Sequence, residues 1–131
     1  MAKTAMELVM EARAELEIVS PQQTAEALST GAAVVVDVRQ SEEWQHAHID
    51  GAVRAPRGAL EFVADPSSPR HNPELDPARR MIMVCASGGR ASLAGHTMKV
   101  LGFGDVAVME GGMNAWNDAG LPVVEHEFND L

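Results

Sequence analysis

Three continuous apolar runs limit what this chain can fold into: Ala33-Val34-Val35-Val36-Asp37-Val38, Met81-Ile82-Met83-Val84-Cys85 and Val106-Ala107-Val108-Met109. A strand with one wet face alternates apolar and polar residues. A run that stays apolar suits a strand buried on both faces, the mark of a parallel sheet covered by helices. The segments between the runs agree. Ser41-Glu42-Glu43-Trp44 reads as a helix start, and a helix is expected near Leu60-Glu61-Phe62-Val63. Arg90 to Leu101 reads as a helix ended by Gly102-Phe103-Gly104, and Gly111-Gly112 opens another near Met113 to Ala119. Gly51-Ala52-Val53 is a short strand candidate, and the four prolines between Pro66 and Pro77 mark a loop. Alternating strands and helices place the chain in the α/β class with a parallel sheet.

The first thirty residues read as helical throughout. Met6, Val9, Met10 and Leu16 fall near one face, away from most of Glu7, Glu11, Glu15 and Glu17. Ser20-Pro21-Gln22-Gln23 opens a second helix with an N-cap serine, a first-position proline and a glutamine that completes a capping box. Gly31 is its stop. The expected organisation is a helical extension over residues 1–31, a domain over 32–124 and an acidic tail over 125–131. At 131 residues, with 46% apolar and 22% charged residues, one domain with its own core is expected.

Charge and cysteine usage exclude several functions. The net charge of −9 argues against nucleic-acid binding, which depends on Lys and Arg neutralising phosphates, and gives no support to docking on an anionic membrane. No run of apolar residues is long enough to span a bilayer, and the N-terminus lacks a signal-peptide core. A reducing, cytoplasmic setting is the default expectation. The single cysteine, Cys85, rules out an intrachain disulfide and a cysteine-rich zinc site. The five histidines lack ligand spacing, so no metal is expected.

Cys85 carries the chemistry. It lies at the carboxyl end of an apolar strand, where open α/β sheets gather their ligands. Ala86, Ser87, Gly88, Gly89 and Arg90 follow, and then a helix. Small residues and two glycines let the backbone curl so that its N–H groups point inward. The helix N-terminus adds about half a positive charge, and Arg90 adds a cation. Each favours the thiolate, which is the nucleophile. The same loop would cradle an anion. Only residues 81–109 carry a positive balance, with Arg90 and Lys99 against Asp105. The alternative for Cys85 is a small buried residue that merely ends a strand.

At these residues the chain resembles a known family. Asp37-Val38-Arg39, His48-Ile49-Asp50-Gly51-Ala52-Val53, Cys85 to Ser92, Glu110-Gly111-Gly112, Trp116 and Gly120-Leu121-Pro122 are similar, in that order, to single-domain rhodanese-like sulfurtransferases. The resemblance covers about residues 33–124. It implies a rhodanese-like fold with a central five-stranded parallel sheet flanked by helices. It also implies that Cys85 forms a persulfide and that residues 86–90 form the active-site loop. No cofactor is implied beyond that covalent persulfide. The partners implied are a small sulfur donor such as thiosulfate and a cyanide or thiol acceptor. A protein thiol is the alternative acceptor, in a carrier or sensor with little free turnover. Ala86 stands where many thiosulfate-using members carry a larger polar or basic residue, and it motivates that alternative. Relatives with phosphatase chemistry place five residues between cysteine and arginine, whereas four lie between Cys85 and Arg90 here. That shorter cradle suits sulfur better than a phosphate group.

Other residues are weighed on their chemistry. Arg39 either lines the pocket entrance as a substrate-binding residue or pairs with Glu42 or Glu43. His48 is expected to make a structural hydrogen bond, and Arg54 and Arg57 either attract anions or are simply solvated. Met81, Met83 and Met109 fill the core, and Trp44 and Trp116 pack helices onto the sheet.

Overall fold

A computed structural model describes residues 1–125. Five parallel strands form one sheet: β1 (Glu17–Val19), β2 (Val34–Asp37), β3 (Val53–Arg54), β4 (Met81–Val84) and β5 (Val106–Met109). Their order is β1-β5-β4-β2-β3. The helices are α1 (Ala5–Ala14), α2 (Pro21–Thr30), α3 (Ser41–His46), α4 (Leu60–Ala64), α5 (Gly89–Val100) and α6 (Gly112–Asp118). A short 3-10 turn at Arg57–Ala59 leads into α4.

The continuous apolar runs divide between the two faces of the sheet. Val34, Val36, Met81, Met83, Val106 and Val108 point to one side, where Leu60 and Ala64 of α4 and Ala91, Ala94 and Met98 of α5 meet them. Val35, Ile82, Val84, Ala107 and Met109 point to the other, against Met113 and Trp116 of α6 and Ala25 and Leu28 of α2. Every residue of β2, β4 and β5 is buried, which is why these strands never alternate in sequence. The helix expected to open at Ser20 forms as read: Ser20 accepts from the Gln23 N–H, Gln23 accepts from the Ser20 N–H, and Gly31 closes it at φ +74°.

The sequence reading of residues 1–31 as helical throughout is corrected here. Glu17–Val19 is a strand, the edge of the sheet beside β5. Its three residues are too few to show a period, and only Val19 is buried. Tertiary pairing supplies what local pattern lacks. Arg80 reinforces the edge: its Nη1 lies 2.6 Å from Glu17 and 2.7 Å from Asp105. A division at residue 31 therefore cuts through the sheet body, because β1 pairs with β5 and α2 packs on β2 and α6.

The face that α1 turns to the domain covers only part of the one read from the sequence. Met6 and Met10 are exposed, whereas Ala12 and, just beyond the helix, Leu16 are buried. The reason is α5, on which α1 packs. Leu16 Cδ1 sits 2.7 Å from where a Cβ on Gly95 would be, so a larger residue at 95 would force the Leu16 side chain to shift. Trp116 packs a helix onto the sheet as read. Trp44 instead stacks on His48 with ring centroids 3.6 Å apart. Glu125 is exposed, and the rest of the acidic tail, 126–131, lies outside the described residues.

Candidate active site

The strand order has its reversal between β4 and β2, and the carboxyl ends of these strands open the crevice where such sheets bind ligands. Cys85 follows β4 there, Arg39 follows β2, and Glu110 follows β5 beside them.

The loop after Cys85 is held from two sides, by α6 and by Ser92. The N–H groups of Met113 and Asn114, in the first turn of α6, donate to the carbonyls of Cys85 at 2.8 Å and Ala86 at 3.0 Å. The N–H and hydroxyl of Ser92 both donate to the Gly88 carbonyl. With these carbonyls occupied, the N–H groups are left for the inside of the curl. The Gly88 N–H donates to Cys85 Sγ at 3.0 Å. Among the described residues, no acceptor meets the N–H of Ala86, Ser87, Gly89 or Arg90. That is the arrangement of an anion cradle at the N-terminus of a twelve-residue helix.

Two glycines make this geometry possible. Gly88 turns the loop at φ +115°, a conformation side chains resist. Gly112, at φ +57°, lies so close to the loop that a Cβ there would fall 2.4 Å from the Cys85 carbonyl oxygen. Cys85 itself is 1% exposed, Ala86 is half-buried and Ser87 is exposed. The sulfur is therefore buried beneath the loop, whose outer part is residues 86 and 87.

The charges around the loop differ from the sequence reading. Arg90, expected as a cation facing the sulfur, has both terminal nitrogens on the Glu43 carboxylate at 2.7 and 2.9 Å. That pair lowers the Glu43 pKa from 4.5 to about 2, chiefly through the Arg90 hydrogen bonds and helped by the Gln40 N–H, against the effect of burial. The Arg90 pKa is raised, chiefly by its hydrogen bonds to Glu43, against the effect of burial. Arg39 is buried and pairs with Asp37, not with Glu42 or Glu43. Its Nε lies 3.0 and 3.2 Å from the two carboxylate oxygens, its Nη2 reaches Asp37 at 2.9 Å, and its Nη2 also donates to the Ala47 carbonyl. This arrangement ties the end of β2 to the end of α3. His48 bonds the Trp44 carbonyl through Nδ1 at 2.9 Å. Arg54 donates to the Ser41 hydroxyl, and Arg57 to Glu61 and Thr97.

Among the described residues, no cluster of His, Cys, Asp and Glu could hold a metal ion, and no helix is long and apolar enough to cross a membrane. Residues 20–119 match the Rhodanese-like domain family. The chain belongs to this family. It is 37% identical over 82 residues to the putative sulfur carrier protein YrkF of Bacillus subtilis, covering 63% of this chain and 40% of YrkF. A Rhodopseudomonas palustris protein of unknown function, described as a possible tyrosine phosphatase, superposes with a TM-score of 0.87 at 32% identity, covering 95% of this chain and 96% of the other. The polysulfide-sulfur transferase of Wolinella succinogenes, described as a homodimer, superposes with a TM-score of 0.71 at 27% identity, covering 94% and 88%. This rhodanese-like chain spans less than half the length of the first curated relatives it matches. They include a tRNA uridine(34) hydroxylase of Chlamydia abortus as well as sulfur-handling proteins.

Two features of this rhodanese-like site escape sequence reasoning. Glu43 is visible only as an acid at the start of α3, and it is weighed against Arg39; its partnership with Arg90 is tertiary. Gly112 signals a turn, and nothing local says that it packs on the Cys85 loop.

Proposed function

We propose that this protein is a sulfurtransferase in which Cys85 carries sulfane sulfur as a persulfide. The observation that carries this reading is the Gly88 N–H donating to Sγ at 3.0 Å, inside a loop whose carbonyls are turned onto α6 and Ser92. The Cys85 thiolate attacks the outer sulfur of thiosulfate. The sulfur–sulfur bond of thiosulfate breaks, and sulfite leaves with the electron pair. The terminal sulfur of the new persulfide occupies the cradle formed by the N–H groups of residues 86–90. Cyanide or a thiolate then takes that sulfur and restores the Cys85 thiolate. This is a ping-pong double displacement without oxidant, reductant or cofactor.

A second reading keeps the same first step and changes the acceptor. The domain would load sulfur and hand it to a partner protein's thiol, with little turnover on small acceptors. The similarity to a protein named as a sulfur carrier favours it, as does the small, half-buried Ala86 next to Cys85. Transfer from loaded Cys85 to a protein thiol that is much faster than transfer to cyanide selects this reading. The reverse order selects the small-acceptor enzyme. Phosphatase chemistry is disfavoured because the Arg90 fork that would grip a phosphate already grips Glu43. Hydrolysis of an aryl phosphate by the wild type, lost in Cys85→Ser, would reverse that judgement.

A further inference from the structure

Helix α1 lies before the residues that match the family, yet it forms one wall of the loop. Val9 Cγ2 is 3.9 Å from where a Cβ on Gly89 would stand, and Arg13 Nη1 is 3.6 Å from the same point on Gly88. Arg13 Nη2 donates to Glu110 at 2.7 Å, which ties α1 to the residue that follows β5. Nη1 has no hydrogen-bond partner among the described residues. The Arg13 side chain is 23% exposed, and its partner Glu110 is 58% exposed, so water screens much of that pairing.

Two other arginines near the Cys85 loop are committed. Arg90 is forked onto Glu43, and Arg39 is buried against Asp37. Arg13 differs from Arg90 in having a terminal nitrogen without a hydrogen bond among the described residues, and from Arg39 in being partly exposed. That nitrogen lies beside Gly88, whose N–H holds the sulfur. We propose that Arg13 is a substrate-binding residue that receives the anionic end of the sulfur donor, while the loop receives the transferred sulfur. The donors it selects are sulfane compounds ending in a sulfonate, sulfide or carboxylate. This assignment rests on the sulfur-transfer reading of Cys85.

The test compares wild type with Arg13→Ala, Arg13→Lys and Glu110→Gln. The first readout is the rate at which Cys85 gains one sulfur atom, by intact mass, against thiosulfate concentration. Loss of one charge-assisted contact should raise the half-saturating thiosulfate of Arg13→Ala about tenfold, with the saturating rate kept within about twofold. Arg13→Lys should recover part of that loss. Glu110→Gln removes the pin and keeps the cation, so it should not raise the half-saturating concentration. If Glu110→Gln reproduces Arg13→Ala, or if Arg13→Ala lowers only the saturating rate, Arg13 is a structural tie and the proposal is overturned.

The second readout does not depend on sulfur transfer. Iodoacetate and iodoacetamide alkylate the same thiol and differ in charge. The iodoacetate-to-iodoacetamide rate ratio at Cys85 should fall about tenfold in Arg13→Ala. Should wild type take up no sulfur, the functional reading fails, and this ratio alone decides the role of Arg13. An unchanged ratio then overturns the proposal.

Discussion

At the scale of single residues, the site is a set of occupied charges around one sulfur. Glu43 answers Arg90, Asp37 answers Arg39, and the Gly88 N–H answers Sγ. The Glu43–Arg90 pair has a pH signature. Because the folded-state pKa of Glu43 lies at about 2, below its ordinary 4.5, its contribution to stability is full above 4.5 and is lost as pH falls toward 2. Glu43→Gln should therefore flatten the acid limb of a plot of urea midpoint against pH within that window. Parallel limbs for variant and wild type would show that the pair adds nothing to stability. Gly112 makes a sharper demand. A Cβ at 2.4 Å from the Cys85 carbonyl, at φ +57°, forces α6 and the loop apart. Gly112→Ala should cost about 1–3 kcal/mol in denaturant unfolding and slow sulfur loading in the same protein. Wild-type stability and loading in that variant would mean that the loop is not held by α6.

At the scale of elements, what was legible in the sequence follows from range. Helix α2 was readable because its signals are local: Ser20, Pro21, Gln23 and Gly31 each act within a turn of their own position. Strands β2, β4 and β5 were readable because burial on both faces writes a continuous apolar run. Strand β1 was not, because Glu17-Ile18-Val19 owes its state to β5 and Arg80, far along the chain. The Cys85 loop was legible by its small residues and its arginine. The partner of that arginine and the wall built by α1 were not, since each joins segments distant in sequence. The docking of α1 is testable by itself. Leu16 is 8% exposed and fills the space left by Gly95. Leu16→Ala should destabilise the fold by about 2–4 kcal/mol, read from urea unfolding. A loss near zero would mean that α1 rests on the domain without holding it.

At the scale of the whole molecule, a net charge of −9 offers no long-range attraction to an anionic donor. Attraction has to come from the loop N–H groups, the α5 terminus and Arg13 beside them. The expected half-saturating thiosulfate is therefore about 1 mM or higher, the upper end of the usual range. A micromolar value would contradict this electrostatic picture. The sheet supports that local field by placing the ends of β4, β2 and β5 side by side. Sulfur, arginines and helix terminus thus meet from segments far apart in the chain. The central claim is that Cys85 carries sulfur covalently, and intact mass measurement tests it most directly. After incubation with thiosulfate, the wild type should gain the mass of one sulfur atom and lose it again when cyanide is added, as thiocyanate forms. Cys85→Ser should show neither change. A wild type that gains no sulfur, or a Cys85→Ser protein that gains as much, would contradict the account.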